Sequence, residues 1–403
     1  MLSLALRNIL RHKLRTGMTV GAIVFGVVGL IVTGGFVQDI LFQLSEATIH
    51  SQSGHLQVYR KGFYEFGSRS PDKYLIDEPQ TLKQRIEALP ATADTMARIS
   101  FTGLLSNGRS DISIVGEGVE ADKEARLGSY LKISAGRQLR DGDQYGILLG
   151  DGVATSMQLK PGDPVTLLVS TAAGATNTLD FEVVGAFQTF SKEFDARAVR
   201  ISLAASQELF GSNGANSIVV SLRKTDETEA TAATLGTQLD AQQYEIRTWR
   251  ELNDFYQKAV DLYDRQFGVL RLIVLLMVLL TVANTVNMSV FERIGEFGTL
   301  LALGNRSRDI FRLVILENAL IGLIGALVGA AAGILAASAL TALGIEMPPL
   351  PNANTGYVAS IRVLPSAVVS AFAIGLGATV LAAILPAVRV SRNPIAESLR
   401  QNY

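Results

Sequence analysis

Charged side chains disappear from four long stretches of this chain and return at ordinary density between them. Residues 16–38 are uncharged over 23 positions, 272–291 over 20, 319–345 over 27 and 363–388 over 26. A helix rises 1.5 Å per residue and a hydrocarbon core is about 30 Å thick, so each stretch predicts a membrane-spanning helix. The two longest must tilt or protrude. Residues 44–265, between the first two stretches, carry charge at normal density and predict a soluble domain.

Ahead of the first stretch stand Arg7, Arg11, Lys13 and Arg15, a basic run like that of a secretory signal. The apolar stretch behind it is longer than a signal's 7 to 15 residues and ends without a small-x-small cleavage pattern, so an uncleaved anchor is expected. Lysine and arginine in the short loops set the orientation. Arg293, Arg306, Arg308 and Arg312 lie between the second and third stretches, Arg389, Arg392 and Arg400 follow the fourth, and the 346–362 loop holds one basic residue. Both termini and the 292–312 loop are therefore expected in the cytoplasm, with the 44–265 domain and the 346–362 loop outside.

Gly325, Gly329 and Gly333 recur every fourth residue in the third span, and Gly17 and Gly21 repeat the spacing in the first. Small faces of this kind let helices approach closely, so these five are the expected packing seam, within the chain or against a second copy. No charge falls at the middle of a span. Glu317, just inside the third at its cytoplasmic end, is expected to reach headgroup level as an interfacial anchor rather than to bind an ion.

Within the soluble domain, strands are expected at 56–59, 111–115, 165–169, 179–184 and 217–222, and helices at 80–89, 203–209 and 225–239, a mixed α+β domain open to division into two lobes. Gly and Pro around 148–152 and 159–165 read as tight turns. Residues 38–52 and 251–270 adjoin the first two spans without Pro or a Gly-rich linker and are expected to continue them outward as a stalk.

Composition narrows the function. The chain is 48% apolar and 18% charged with a net charge of −1, which offers no basic face to nucleic acid. Without cysteine there is no disulfide, thiol nucleophile or thiolate metal site. His12, His50 and His55 are the three histidines, and the last two, five apart, fall off one α-helical face, so no metal site is expected. No Gly-Lys dipeptide occurs, hence no GxxxxGK[ST] phosphate loop, and neither HExxH nor GxSxG is present. The chain itself is expected to be non-catalytic and to bind no cofactor.

The loop after the second span reads Phe291-Glu292-Arg293-Ile294-Gly295-Glu296-Phe297-Gly298-Thr299-Leu300-Leu301-Ala302-Leu303-Gly304, with Glu317 further on. It resembles the ER-x-x-E-x-G-x-L-x-A-x-G...E loop of the FtsX-like ABC transporter permeases, the family of MacB and the lipoprotein-release subunits LolC and LolE. The opening segment 4–15 and the closing segment 386–400 are similar to that family's amphipathic first helix and tail. The run from Gly136 through 147–150 and 159–163 to Gly185 is similar to the MacB-type periplasmic core domain.

The resemblance implies a bacterial inner-membrane protein with an amphipathic helix and first span in 1–43, a periplasmic core domain with stalk in 44–265, and a permease domain in 266–403. It also implies a coupling helix in the 292–312 loop that docks on a cytoplasmic ABC ATPase, the subunit that would bind ATP and Mg. Glu292, Arg293, Gly295, Glu296, Phe297, Gly298, Leu300, Ala302, Leu303 and Gly304 are the residues so implicated. Phe297, Leu300 and Leu303 are expected to fill a partner groove, and Glu292, Arg293 and Glu296 to form rim pairs. MacB carries its ATPase on the same chain, so the LolC/LolE plan is the nearer one. A second permease copy or paralogue, membrane lipids, and a periplasmic lipoprotein chaperone or adaptor complete the implied partners. Lipoprotein release and mechanotransmission to a periplasmic partner both remain open.

Overall fold

The computed structural model describes residues 7, 8, 11, 13–67, 71–127, 131–170, 176–189, 191–348 and 356–391. Most of the opening amphipathic segment and the tail beyond 391 lie outside the described residues. The chain divides into two compact units. One holds residues 1–42, 259–346 and 358–403, and the other 43–258 and 347–357.

Among the described residues, four helices are long and apolar enough to cross a membrane: Lys13–Thr48, Asp254–Glu292, Ser307–Ala342 and Pro365–Ser391. All but the last outrun their uncharged stretches by a wide margin. The first continues through residues 38–48 as expected, but then widens into a π-helical turn, Ile49–Ser53, and the second begins only at Asp254. The two histidines, expected off one helical face, nonetheless meet: the chain reverses at Gly54, whose φ is +65°, and the His50 and His55 rings lie edge to face at 5.6 Å.

Inside the membrane unit the third helix lays its glycines against the first. A methyl group built on Gly325 would meet Ile23, on Gly329 Val27 and the Val24 backbone, and on Gly333 Ile31. Gly325, Gly329 and Gly333 thus lie where the first and third helices touch, whereas Gly17 and Gly21 have nothing among the described residues within 4 Å of a built Cβ. The second helix joins through Val278, Val282, Val286 and Val290, a strict four-residue stripe that is its buried edge. At the other end of the first helix, Ser360 donates its Oγ to Asp39 at 2.6 Å and the Arg362 amide donates to the Gly35 carbonyl at 3.3 Å.

The second unit is α+β. Among the described residues its strands are β1 Leu56–Arg60, β2 Thr92–Ser106, β3 Asp111–Val119, β4 Lys132–Gly136, β5 Gly146–Gly150, β6 Pro164–Ser170, β7 Thr176–Gln188, β8 Ala198–Ser202, β9 Ser217–Leu222 and β10 Tyr244–Thr248. They form one continuous sheet in the order β10-β1-β9-β2-β3-β8-β5-β7-β4, with β6 pairing β2 and β7, so a single sheet runs through both of the expected lobes. All five predicted strands and all three predicted helices are present. Strand β2, at 15 residues the longest, lies outside the five predicted strands, and β5 occupies residues read as turn punctuation. Ile99, Phe101, Ile114, Val199 and Ile201 anchor the main core on one face of the sheet. The other face, around Arg98, Glu117 and Arg200, buries charge.

Candidate coupling site

Three short stretches of sequence build the loop between the second and third membrane helices. The second helix ends at Glu292, a nine-residue helix Ile294–Ala302 follows, and the third begins at Ser307. The short helix stops because Gly304 adopts a φ of +97°, a left-handed conformation that other residues resist, and the amides of Gly304 and Asn305 return to the carbonyls of Leu301 and Leu300 at 3.0 and 3.1 Å. Asp309 caps the next helix by accepting the Arg306 amide at 3.1 Å, where its charge also suits the positive end of the helix dipole.

Periodicity decides which side chains face out. Ile294, Phe297 and Gly298 share the buried face, Leu300 and Leu301 are half-buried, and Glu296, Thr299, Ala302 and Leu303 point away. Phe297 is only 2% exposed while Leu303 is 77% exposed. This corrects the expectation that Phe297 reaches a partner groove. It is a core residue of the membrane unit, and a spacing of three or four from Ile294 and Leu301 already carried that information.

Arg293 is likewise not a rim residue. It is buried and donates from Nη1 to both Glu317 carboxylate oxygens at 3.0 Å, donates from Nε to Glu296 at 3.0 Å, and lies over the Phe297 ring at 5.0 Å. Glu317 is therefore the buried counter-charge of Arg293, not a headgroup anchor. A buried guanidinium needs such a partner, because desolvation otherwise costs several kcal/mol. Glu292 pairs with Arg15 of the first helix at 2.6 Å, and Glu296 with Arg11 at 3.4 Å. The rim acids are thus met from within the chain. Arg15 and Arg11 escape a local reading because they lie 277 and 285 residues from their partners.

The loop is consequently a fixed platform: one helix, pinned at Arg293 and closed at Gly304, that presents Thr299, Ala302 and Leu303. Residues 16–238 match the MacB-like periplasmic core domain, and residues 268–395 match the FtsX-like permease C-terminal domain. The chain belongs to the MacB-type, FtsX-like ABC transporter permeases. Among its relatives, the lipoprotein-releasing system transmembrane protein LolE of Haemophilus influenzae is 23% identical over 95% of this chain and 92% of its own. An ABC transporter permease of Methanocaldococcus jannaschii is 26% identical over 56% of each chain, so this chain spans about half of that relative's length. The macrolide export ATP-binding/permease protein MacB of Campylobacter jejuni is 24% identical over 87% of this chain and 55% of its own.

Proposed function

We propose that this permease couples ATP hydrolysis by a separate ABC ATPase to release of lipoproteins, or other lipidated substrates, from the membrane. The observation that carries the docking half of the reading is the platform itself. A nine-residue helix held by a buried ion pair, with Leu303 extended into solvent, is what a partner groove can grip at low entropic cost. The alignment with LolE over nearly all of both chains supports the lipoprotein half. The asymmetry of Arg and Lys supports an orientation with both termini and the platform in the cytoplasm and the sheet domain in the periplasm.

The energetics of such a substrate set a constraint. At about 0.8 kcal/mol per CH₂, a 16-carbon chain exposed to water costs on the order of 12 kcal/mol, so its route must stay apolar. Similarity to the macrolide export protein MacB supports a second reading, in which the sheet domain drives a periplasmic efflux partner. The docking claim is tested by co-purifying wild type, Leu303→Asp and Ala302→Arg with candidate ATPase subunits from membranes. Wild type should retain the ATPase and both variants should lose it while remaining folded. Retention by both variants would sink the platform as the docking site.

A further inference from the structure

At the end of the first membrane helix, two rare features coincide. The helix closes in the π-helical turn Ile49–Ser53, sealed by the Gly54 amide donating to the Ile49 carbonyl at 2.9 Å, and π turns concentrate at functional sites. Facing that turn are four charges that water scarcely reaches: Arg98 on β2, Glu117 on β3, Arg200 on β8, and Glu124 on the short helix Ala121–Leu127. They alternate in sign around a ring. Arg98 meets Glu117 at 3.3 Å and Glu124 at 3.0 Å, and Arg200 meets both acids at 2.9 Å.

Sheet register makes the ring possible. Glu117 stands directly beside Arg200 in the parallel β3–β8 pair, and Arg98 lies two residues along β2 from Ser100, the partner of Glu117. All three point to the face opposite the apolar core. Burial alone would push the Glu124 carboxyl up, and Arg200 and Arg98 more than reverse that, holding it below its ordinary range.

The ring does more than neutralise itself. Arg200 donates to the Ser51 carbonyl at 2.9 Å, Arg98 to the Gln52 carbonyl, and Gln57 of β1 to the Ser53 carbonyl at 2.7 Å. Three consecutive carbonyls at the end of a helix, which would otherwise lack partners, are each taken by a side chain from a different strand. Beside them, the Asn253 amide donates to Thr48 Oγ1 at 3.3 Å, so the residue preceding the second long helix is tied to the same place.

We infer that this ring and its three carbonyl contacts form a rigid joint that holds residues 43–53, the end of the first long helix, in one fixed arrangement against the sheet. Purely structural burial of charge needs only the ring; gripping the turn is the added feature. A buried ion cluster is dispensable for stability where apolar residues of equal volume would serve, and its best-attested use is to fix one arrangement among alternatives. A guanidinium suits this because its planar fork presents its donors to two carboxylates and a carbonyl at fixed angles, whereas an ammonium's three donors sit on a flexible stem and fix no such geometry. The inference deepens the reading of the chain as a coupled permease and rests on it for its purpose, though the joint itself is measurable without any ATPase.

The natural chain has no cysteine, so spin labels can be placed cleanly at Gln43→Cys and Ser113→Cys in the full-length protein in lipid nanodiscs. Wild type should give one narrow distance distribution. Arg200→Lys and Arg98→Lys, which keep the charge and lose the fork, should broaden or split it with cooperative unfolding retained. Gln57→Leu, which leaves all four charges in place, should do the same and serves if the lysine variants do not fold. With the ATPase added, the same variants should hydrolyse ATP at the wild-type rate and lose substrate release. A folded variant set that keeps the narrow distribution overturns the joint. Loss of ATPase association in wild type would instead overturn the proposed function and leave the distance result standing.

Discussion

Arg293 shows how much one side chain can organise. Its guanidinium meets Glu317 twice and Glu296 once and lies over Phe297, so it ties the second helix, the platform and the third helix together. Removing one member of a buried pair strands the other charge, at a cost of about 3–5 kcal/mol, whereas removing both is far milder. Glu317→Gln should therefore lower the denaturant midpoint of the full chain in micelles substantially, and Arg293→Met with Glu317→Leu should recover most of it. Glu296→Gln, at a half-exposed pair, should change the unfolding free energy by about 1 kcal/mol or less and barely move the midpoint. Equal midpoints for wild type and Glu317→Gln would show that the pair is not buried in solution.

The membrane helices are legible in the sequence because lipid imposes a severe filter. A backbone in hydrocarbon must satisfy its own hydrogen bonds and tolerates few charges, so an uncharged run of 20 residues marks a span with little ambiguity. The packing seam is legible in spacing but not in partner. Gly329 serves because Val27 and the Val24 backbone sit 2.9 and 3.2 Å from where its Cβ would be, while Gly17 and Gly21, with the same spacing, meet nothing among the described residues. Gly329→Leu should force the first and third helices apart and lower the unfolding free energy by about 1–3 kcal/mol, the usual cost of overpacking, read as a lower denaturant midpoint. Gly21→Leu should leave the midpoint unchanged, and a comparable loss there would place Gly21 in a contact beyond the single chain. Strand β2 alternates cleanly only from Ala97 to Thr102, with Arg98 in register, and its signal is diluted at the two ends, where Thr92, Asp94 and Thr95 and then Gly103, Leu104 and Leu105 break the pattern. Strand β5 is hidden because Gly146 and Gly150 carry turn signals into a fully buried segment.

At the scale of the whole molecule, the platform, the seam and the charged ring each rest on contacts between residues far apart in sequence, and local patterns do not report those. The loop motif locates the platform by resemblance, yet its outward and inward faces follow only from the helix phase and the Arg293–Glu317 pair. The central claim is that Leu303, and not Phe297, meets a separate ATPase. Single-cysteine cross-linking tests it directly in this cysteine-free chain. Leu303→Cys should cross-link to the ATPase subunit in assembled membranes, and Phe297→Cys should not. Cross-linking at 297 without 303, or at neither position, would contradict the account.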